Sequence, residues 1–121
     1  MVNRSLQPQE IEVFYVLPAV RKELAVCMKA NGKSQKEIAQ LLGVTEAAVS
    51  QYMNAKRATL LQLNDKIKAA IVASAKKVVD ESSMLRETQQ LLSLIREERV
   101  VCQMHESLGT VLKGCNVCFE K

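Results

Sequence analysis

The segment from Ser34 to Arg57, SQKEIAQLLGVTEAAVSQYMNAKR, constrains the fold more than any other part of the chain. Ser34 followed three residues later by Glu37 is a capping box, which predicts the start of a helix. Apolar residues then repeat at helical spacing up to Gly43, a residue suited to a left-handed turn. Thr45 can cap a second helix, which we expect to run from Glu46 to Met53. The segment therefore predicts two helices joined by a tight turn.

The second of these helices has one apolar and one polar side. Ala48, Val49 and either Tyr52 or Met53 are expected to be buried. The opposite side carries side chains whose size and polarity suit the major groove of DNA; these are Glu46, Ala47, Ser50 and Gln51. Two basic residues, Lys56 and Arg57, follow this helix. An ordinary helical hairpin would explain the helices and the turn, but not their combination with both helix caps and the two basic residues that follow.

These residues resemble the helix-turn-helix of lambda-repressor and Cro-like transcription regulators. The likeness runs from LPAVR at 17–21 through LGVT at 42–45 to AVSQY at 48–52, and over this span the chain is similar to small archaeal regulators of that class. The resemblance implies that Glu46, Ala47 and Gln51 contact base edges and that Gln35 contacts a phosphate. Glu46 stands where the class often has glutamine, so no sequence preference transfers with the resemblance.

Positive charge is concentrated in the middle of the chain. The 121 residues include 17 Lys or Arg and 13 Asp or Glu, which gives a net charge of +4. Residues 20–79 hold 11 of the basic and 4 of the acidic residues, a balance of +7, and the rest of the chain stands at −3. Basic side chains gain affinity for DNA by releasing counterions from phosphates. The asymmetry therefore favours double-stranded DNA as a partner.

The composition and the N-terminal residues indicate a cytoplasmic protein. Residues 1–9 are polar, lack the apolar core of a signal peptide, and are expected to form a loose arm. No apolar run approaches the roughly 20 residues of a membrane span, so no membrane partner is expected. The four cysteines are accordingly expected to be reduced.

Two interpretations are open for residues 10–17, EIEVFYVL. Their β-branched and aromatic side chains suit a short strand, but they can also form the first turns of a helix that continues through Pro18. No partner strand is evident. We favour a helix from Pro18, where proline suits the first turn, to Ala30, with Asn31 and Gly32 ending it.

Residues 59–101 are predicted to form two more helices, which makes the fold all-α. Thr59 is the expected cap of the first helix and Ser82 or Ser83 that of the second. The apolar positions are Leu60, Leu63, Ile67, Ala70, Ile71 and Val78, and then Leu85, Leu91, Leu92, Ile95 and Cys102. The segment either folds back on the preceding helices or pairs with a second copy. Because regulators of this kind bind two half-sites as dimers, we predict a homodimer contact here.

A candidate metal site lies near the C-terminus. Cys102, His105, Cys115 and Cys118 form the pattern C-x2-H-x9-C-x2-C. Three thiolates and one imidazole complete a tetrahedral structural zinc site, and the paired spacings favour zinc. Thiolates also suit an iron–sulfur cluster, and a third alternative has no metal. Cys27 lies in an apolar helix and is predicted to be a core residue.

Together these features predict an all-α regulator in three parts. A Cro/repressor-like helix-turn-helix domain occupies residues 10–58, a helical linker and dimerisation segment 59–101, and a metal-binding tail 102–121. The predicted function is sequence-specific DNA binding by a dimer whose metal is structural or redox-sensing. A protein-interaction adaptor is the alternative. A thiol oxidoreductase acting through Cys115 and Cys118 is a lesser one, because no βαβ pattern precedes that pair, and we do not expect an enzyme.

Overall fold

The computed structural model describes residues 7–54, 63–100 and 102–103, and all regular structure within these ranges is helical. The elements are α1 (Pro8–Ile11), a π-helical turn (Glu12–Val16), α2 (Leu17–Ala30), α3 (Gln35–Leu42), α4 (Glu46–Asn54), α5 (Asp65–Lys77) and α6 (Glu81–Glu97). The all-α prediction is confirmed. The strand interpretation of residues 10–17 is wrong, because these residues belong to α1, the π-helical turn and the start of α2.

One continuous helical path runs from Pro8 to Ala30, so the helix begins well before the favoured start at Pro18. Pro8 lies in the first turn, and the Glu10 carboxylate accepts a hydrogen bond from the Gln7 N–H at 2.8 Å. Both features stabilise a helix start. Residues 7–9 are therefore part of this start rather than of a loose arm, and residues 1–6 lie outside the described residues.

Pro18 is accommodated inside this helix by the π-helical turn that precedes it. Proline has no N–H, and within an α-helix its ring clashes with the carbonyl of the residue four positions back, here Phe14. The Leu17 N–H instead bonds to the Glu12 carbonyl, five residues back, which widens the turn beside the ring. Proline in an apolar helical pattern normally marks a boundary, which explains the misplaced helix start.

One apolar core joins all the long helices. The π-helical turn and α2 bury side chains at a four-residue spacing, and the other helices close around them. The core side chains are Ile11, Val16, Val20, Leu24, Ala25 and Met28, then Ile38, Ala39 and Val49 from α3 and α4, and finally Ile67, Ile71, Ala75, Val78, Met84, Leu91, Leu92, Ile95 and Val100. Burial of apolar surface on this scale is the main stabilising contribution to the fold.

The apolar sides of α5 and α6 face this core, so the described residues of segment 59–101 fold back on the preceding helices. Among the described residues of this segment, the large apolar side chains that remain in solvent are Val72, Val79 and Leu85; Leu60 lies outside the described residues. Leu85 was expected on the buried side but is 65% exposed, and its neighbour Met84 is buried instead. In the described part of the segment, the apolar surface that suggested a dimer contact is thus largely covered within one chain.

Two helix starts differ from the predicted ones. α5 begins at Asp65, where the Asn64 side chain accepts a hydrogen bond from the Ile67 N–H at 2.8 Å; Thr59 lies outside the described residues. α6 is capped by Asp80, whose carboxylate accepts from the Ser83 N–H at 2.8 Å. Neither Ser82 nor Ser83 is the cap. Asparagine and aspartate cap at least as well as serine, and a polar run offers several candidates, so the sequence alone does not choose.

Polar contacts between distant parts of the chain join the ends of the bundle. Arg96 on α6 donates to the Glu12 carboxylate in the π-helical turn at 2.9 Å. At the start of α5, the Asn64 amide donates to the Glu98 carboxylate at 2.9 Å and Lys66 does so at 3.4 Å. The bond from Asn64, and then that from Lys66, lowers the pKa of Glu98 below its ordinary value. These contacts join the C-terminal end of α6 to the π-helical turn and to the start of α5.

Candidate nucleic-acid interface

α3 and α4 are joined by the turn that the sequence predicts. The Ser34 hydroxyl accepts from the Glu37 N–H at 3.1 Å, and the Glu37 carboxylate accepts from the Ser34 N–H at 3.2 Å. Gly43 ends α3 in the left-handed conformation, with a φ of 70°. The Thr45 hydroxyl then accepts from the Ala48 N–H at 3.0 Å at the start of α4. The capping box, the glycine turn and the second cap are all confirmed.

One side of α4 packs on the core and the other is open to solvent. Val49 is completely buried, and Tyr52 and Met53 are half-buried against the core. Both alternatives for the last buried position are therefore partly right. The opposite side consists of the residues predicted to enter the groove: Glu46, Ala47 and Gln51 are exposed, and Ser50 is half-buried and accepts a hydrogen bond from the Asn54 amide at 3.4 Å.

A side chain ties the start of α3 to the start of α4. The Gln35 Nε2 donates to the Glu46 carbonyl oxygen at 2.9 Å. A glutamine amide carries two N–H protons, so the same group can also donate to a phosphate. The contact fixes the first turn of α4 relative to α3. As a result, Gln35, the predicted phosphate contact, is held in a fixed position relative to the predicted base contacts on α4.

Two basic residues beside Gln35 were missed as individual candidates. Lys36 is exposed and Lys33 is half-buried, and they flank the N-terminus of α3. Helix N-termini favour anions, so phosphate contacts at this point are physically reasonable. Their signal in the sequence was the basic excess of residues 20–79. Lys56 and Arg57, which were selected from the sequence, lie outside the described residues.

The capping carboxylate at this helix start is held in its charged form. The Ser34 N–H, and after it the Ser34 hydroxyl and the nearby Lys33 charge, lower the pKa of Glu37 below its ordinary value. The capping box is therefore intact at neutral pH. Since Glu37 is bound to its own helix start, its charge is partly offset beside the basic residues that would meet DNA.

Among the predicted metal ligands, the structure describes Cys102 alone. Cys102 is half-buried in the helical turn that follows α6, close to the core residue Val100. His105, Cys115 and Cys118 lie outside the described residues. In the described ranges, no group of three His, Cys, Asp or Glu side chains is arranged to hold a metal ion.

Cys27 packs against the core from α2, as predicted, although it is only half-buried. Burial, and then the neighbouring Glu23 charge, raises the pKa of the Cys27 thiol. A thiol with a raised pKa is mostly protonated at neutral pH and is a poor nucleophile and a poor metal ligand. This agrees with a packing role for Cys27.

Comparison with known families gives one match, which covers α3, α4 and the turn between them. Residues 24–63 match the family model described as helix-turn-helix.

Residues 24–63 are similar to the helix-turn-helix of the lambda-repressor and Cro-like class.

Helix-turn-helix proteins of this class are DNA-binding transcription regulators rather than enzymes, and the match supports the same role for this chain. Searches of curated proteins and of solved structures return no match. Of the helices in the described ranges, none is both long enough and apolar enough to cross a membrane.

Proposed function

We propose that this chain is a cytoplasmic transcription regulator that recognises specific DNA sequences by placing α4 in the major groove. The observation that carries the proposal is the Gln35–Glu46 hydrogen bond at 2.9 Å, together with the exposed side of α4. The bond makes the starts of α3 and α4 one unit. That unit can meet a phosphate and base edges at the same time, which is how this motif docks.

Each exposed residue of α4 is suited by its chemistry to a different contact with DNA. Gln51 can pair bidentately with adenine, Glu46 can accept from the amino group of cytosine, and Ala47 can contact the methyl group of thymine. Ser50 is short enough for close approach. Gln35, Lys33 and Lys36, with Lys56 and Arg57 beyond α4, contact phosphates, which position the protein without reading sequence.

Binding of duplex DNA at several salt concentrations tests the proposal most directly. With several phosphates neutralised, the logarithm of the affinity should fall steeply and linearly with the logarithm of the salt concentration. Fluorescence anisotropy with a labelled random duplex measures this slope. Absence of binding at low salt, or an affinity that does not change with salt, would remove DNA binding as the function.

Sequence reading is tested separately by selection from random duplexes. Gln51→Ala should relax the selected motif at one position, because a good bidentate contact contributes about 1–3 kcal/mol of discrimination. Gln40→Ala is the matched control, since Gln40 is an exposed glutamine of α3 that does not lie on α4. The control should select the wild-type motif. A wild-type motif from Gln51→Ala would show that α4 docks differently from our proposal.

We further propose that two copies act together on two half-sites about one turn of DNA apart. The helix-turn-helix of one chain can meet one half-site, and a second copy doubles the number of base and phosphate contacts. A dimer is therefore expected to prefer two-fold symmetric sites. Selected sequences should show this symmetry, and a motif consisting of one half-site would contradict dimeric binding.

The last part of the proposal is a metal bound by Cys102, His105, Cys115 and Cys118. Support comes from the spacing of these residues and from the position of Cys102 directly after the folded core. Zinc is the favoured metal and an iron–sulfur cluster is the alternative. The metal serves either as a structural link or as a redox sensor, since thiolate ligands can be oxidised.

Elemental analysis and absorption spectra of anaerobically purified protein test the metal. We expect one metal ion per chain in the wild type, its loss in Cys115→Ser, and its retention in the control Cys27→Ala. Iron with a broad absorption band would identify a cluster, and zinc without visible absorption would identify the favoured site. Metal-free wild-type protein, or full metal in Cys115→Ser, would contradict the site.

A further inference from the structure

The outer side of the N-terminal helix carries an apolar patch. Val13 and Phe14 are adjacent in the π-helical turn and are 57% and 60% exposed, and Pro18 beside them is also exposed. Among the exposed large apolar side chains of the described residues, Phe14 is the one aromatic. Aromatic side chains contribute much of the energy of protein interfaces because each buries a large apolar area.

Charged residues lie at both ends of this patch, and their signs are opposite. Glu10, Phe14, Pro18 and Arg21 are spaced by four, four and three residues. The bonds of the π-helical turn reach five residues back, so a spacing of four across it is still close to one full turn, and the four residues lie along one side of the helical path. Glu10 is exposed and Arg21 is half-buried. Within the described part of the chain, Arg21 forms no ion pair.

This order of residues is complementary to itself when the helix is reversed. In an antiparallel pair of helices related by a two-fold axis, the apolar patch of each copy meets that of the other. The acidic end of each patch then faces the basic end of the other. The midpoint between Glu10 and Arg21 and the midpoint between Phe14 and Pro18 lie within one residue of each other. One axis therefore places Glu10 near the partner's Arg21 and Phe14 near the partner's Pro18.

We propose that the outer side of the helix from Pro8 to Arg21 forms the homodimer contact, by antiparallel pairing with the same side of a second copy. The proposal deepens the dimeric part of the proposed function and rests on it. It also differs from the sequence-based prediction of a contact in segment 59–101, because the apolar sides of α5 and α6 are already covered by the core of their own chain.

The contact is small, which sets the affinity that we expect. A single pair of helix faces lies at the low end of interface sizes, below about 1,200 Å² in total, where complexes are weak or transient. The dimer should thus dissociate in the micromolar range, between about 1 and 200 µM. Binding to adjacent half-sites would then join the two copies, because the DNA raises their effective concentration.

Sedimentation equilibrium of the full-length, metal-replete chain tests the contact. Phe14→Glu should weaken the wild-type dimer by at least about tenfold, the effect expected for a central aromatic residue. Val72→Glu on α5 is the matched comparison, since Val72 is 47% exposed and belongs to segment 59–101. It should leave the dimer unchanged. A wild-type chain that is monomeric at about 200 µM, or a dimer disrupted by Val72→Glu and not by Phe14→Glu, would overturn the proposal.

Charge exchange provides a second test that is independent of apolar burial. Glu10→Arg and Arg21→Glu should each weaken the dimer, because each places like charges opposite one another. The double variant should recover most of the wild-type affinity, since the exchanged charges again face their opposites. Glu10→Gln is the control for position 10, because it weakens the bond to the Gln7 N–H without placing like charges opposite one another, and it should weaken the dimer less than Glu10→Arg does. A double variant as weak as the sum of the single changes would overturn the antiparallel arrangement.

DNA binding separates a failure of this inference from a failure of the proposed function. If Phe14→Glu is monomeric and still binds a half-site duplex with a steep salt dependence, both proposals stand. If the wild type is monomeric but binds DNA, only the dimer contact is overturned. If the wild type does not bind DNA at low salt, the proposed function is overturned whatever the oligomeric state.

Discussion

At the scale of single residues, two carboxylates stabilise the starts of α3 and α6. Glu37 accepts a hydrogen bond from the Ser34 N–H, and Asp80 accepts one from the Ser83 N–H. The bond from Ser34 lowers the pKa of Glu37, and the bond from Ser83 lowers the pKa of Asp80. A group whose pKa is lower in the folded state than in the unfolded state favours the folded state when it is ionised.

Acid should therefore weaken both caps. Their contribution is complete above the unfolded pKa values, about 4.3 for Glu and 3.9 for Asp, and it is lost as the pH falls through the lowered folded values. Glu37→Gln and Asp80→Asn should lower the urea midpoint at neutral pH and differ less from the wild type near about pH 2.5. Glu81→Gln is the control. A deficit that stays constant with pH would contradict this role of the carboxylates.

At the scale of elements, the N-terminal helix keeps its course through Pro18 because contacts with distant residues hold it before the proline: Ile11 and Val16 are buried in the core, and Glu12 is bonded to α6. The Glu12 side chain is 11% exposed and accepts a hydrogen bond from Arg96, whose side chain is 59% exposed. Glu12 opens the π-helical turn, so the ion pair holds the irregular part of the helix against α6. Without these tertiary contacts, the local sequence would favour a helix end at this proline over a π-helical turn.

Removing the Glu12 carboxylate should destabilise the fold by about 1 kcal/mol, at the low end for a charge-assisted bond because Arg96 remains solvated. Glu12→Ala measures this change in urea unfolding. Glu97→Ala is the control, as Glu97 is an exposed glutamate of α6 and should shift stability by less than about 0.5 kcal/mol. Equal effects of the two substitutions would show that the ion pair does not hold the turn.

At the scale of the whole molecule, the helix-turn-helix does not have a core separate from that of α5 and α6. α5 and α6, with Val78 and Val100 that follow them, contribute eight large side chains to the common core; the six within the helices are Ile67, Ile71, Met84, Leu91, Leu92 and Ile95. Each such side chain contributes roughly 1.5–3 kcal/mol when buried. Their sum, roughly 12–24 kcal/mol, is as large as the total stability of a typical domain, about 5–15 kcal/mol.

A chain that ends at Arg57 should therefore fail to fold cooperatively. It would expose core residues of α2 such as Leu24 and Met28 to water. Thermal unfolding followed by circular dichroism should show a broad, non-cooperative decline, whereas a chain that ends at Gln103 should retain a sharp transition. A sharp transition in the shorter chain would show that the helix-turn-helix is an independent unit and that α5 and α6 are an appendage.

The helix-turn-helix was predictable because its signals act over a few residues. The bonds between Ser34 and Glu37, the left-handed Gly43 and the Thr45 cap each involve neighbours in sequence, and the exposed row of Glu46, Ala47 and Gln51 follows from helical periodicity. The Gln35–Glu46 contact was not predictable. It needs the relative placement of two helices, and Gln35 on its own indicated only a phosphate contact.

Tertiary structure decided what each apolar side packs against. Periodicity showed that α5 and α6 have apolar sides, but not whether these meet their own chain or a second copy. Met84 and Leu85 are neighbours about 100° apart on a helix, so the choice of the buried one depends on how α6 lies on the core. The continuation of the helix through Pro18 likewise involves residues far away in sequence, among them the core partners of Val16 and Arg96, which bonds to Glu12. Hydrogen bonds between neighbours in sequence can be predicted from the residue types and their spacing. Contacts between distant residues cannot, because they form only when the helices pack.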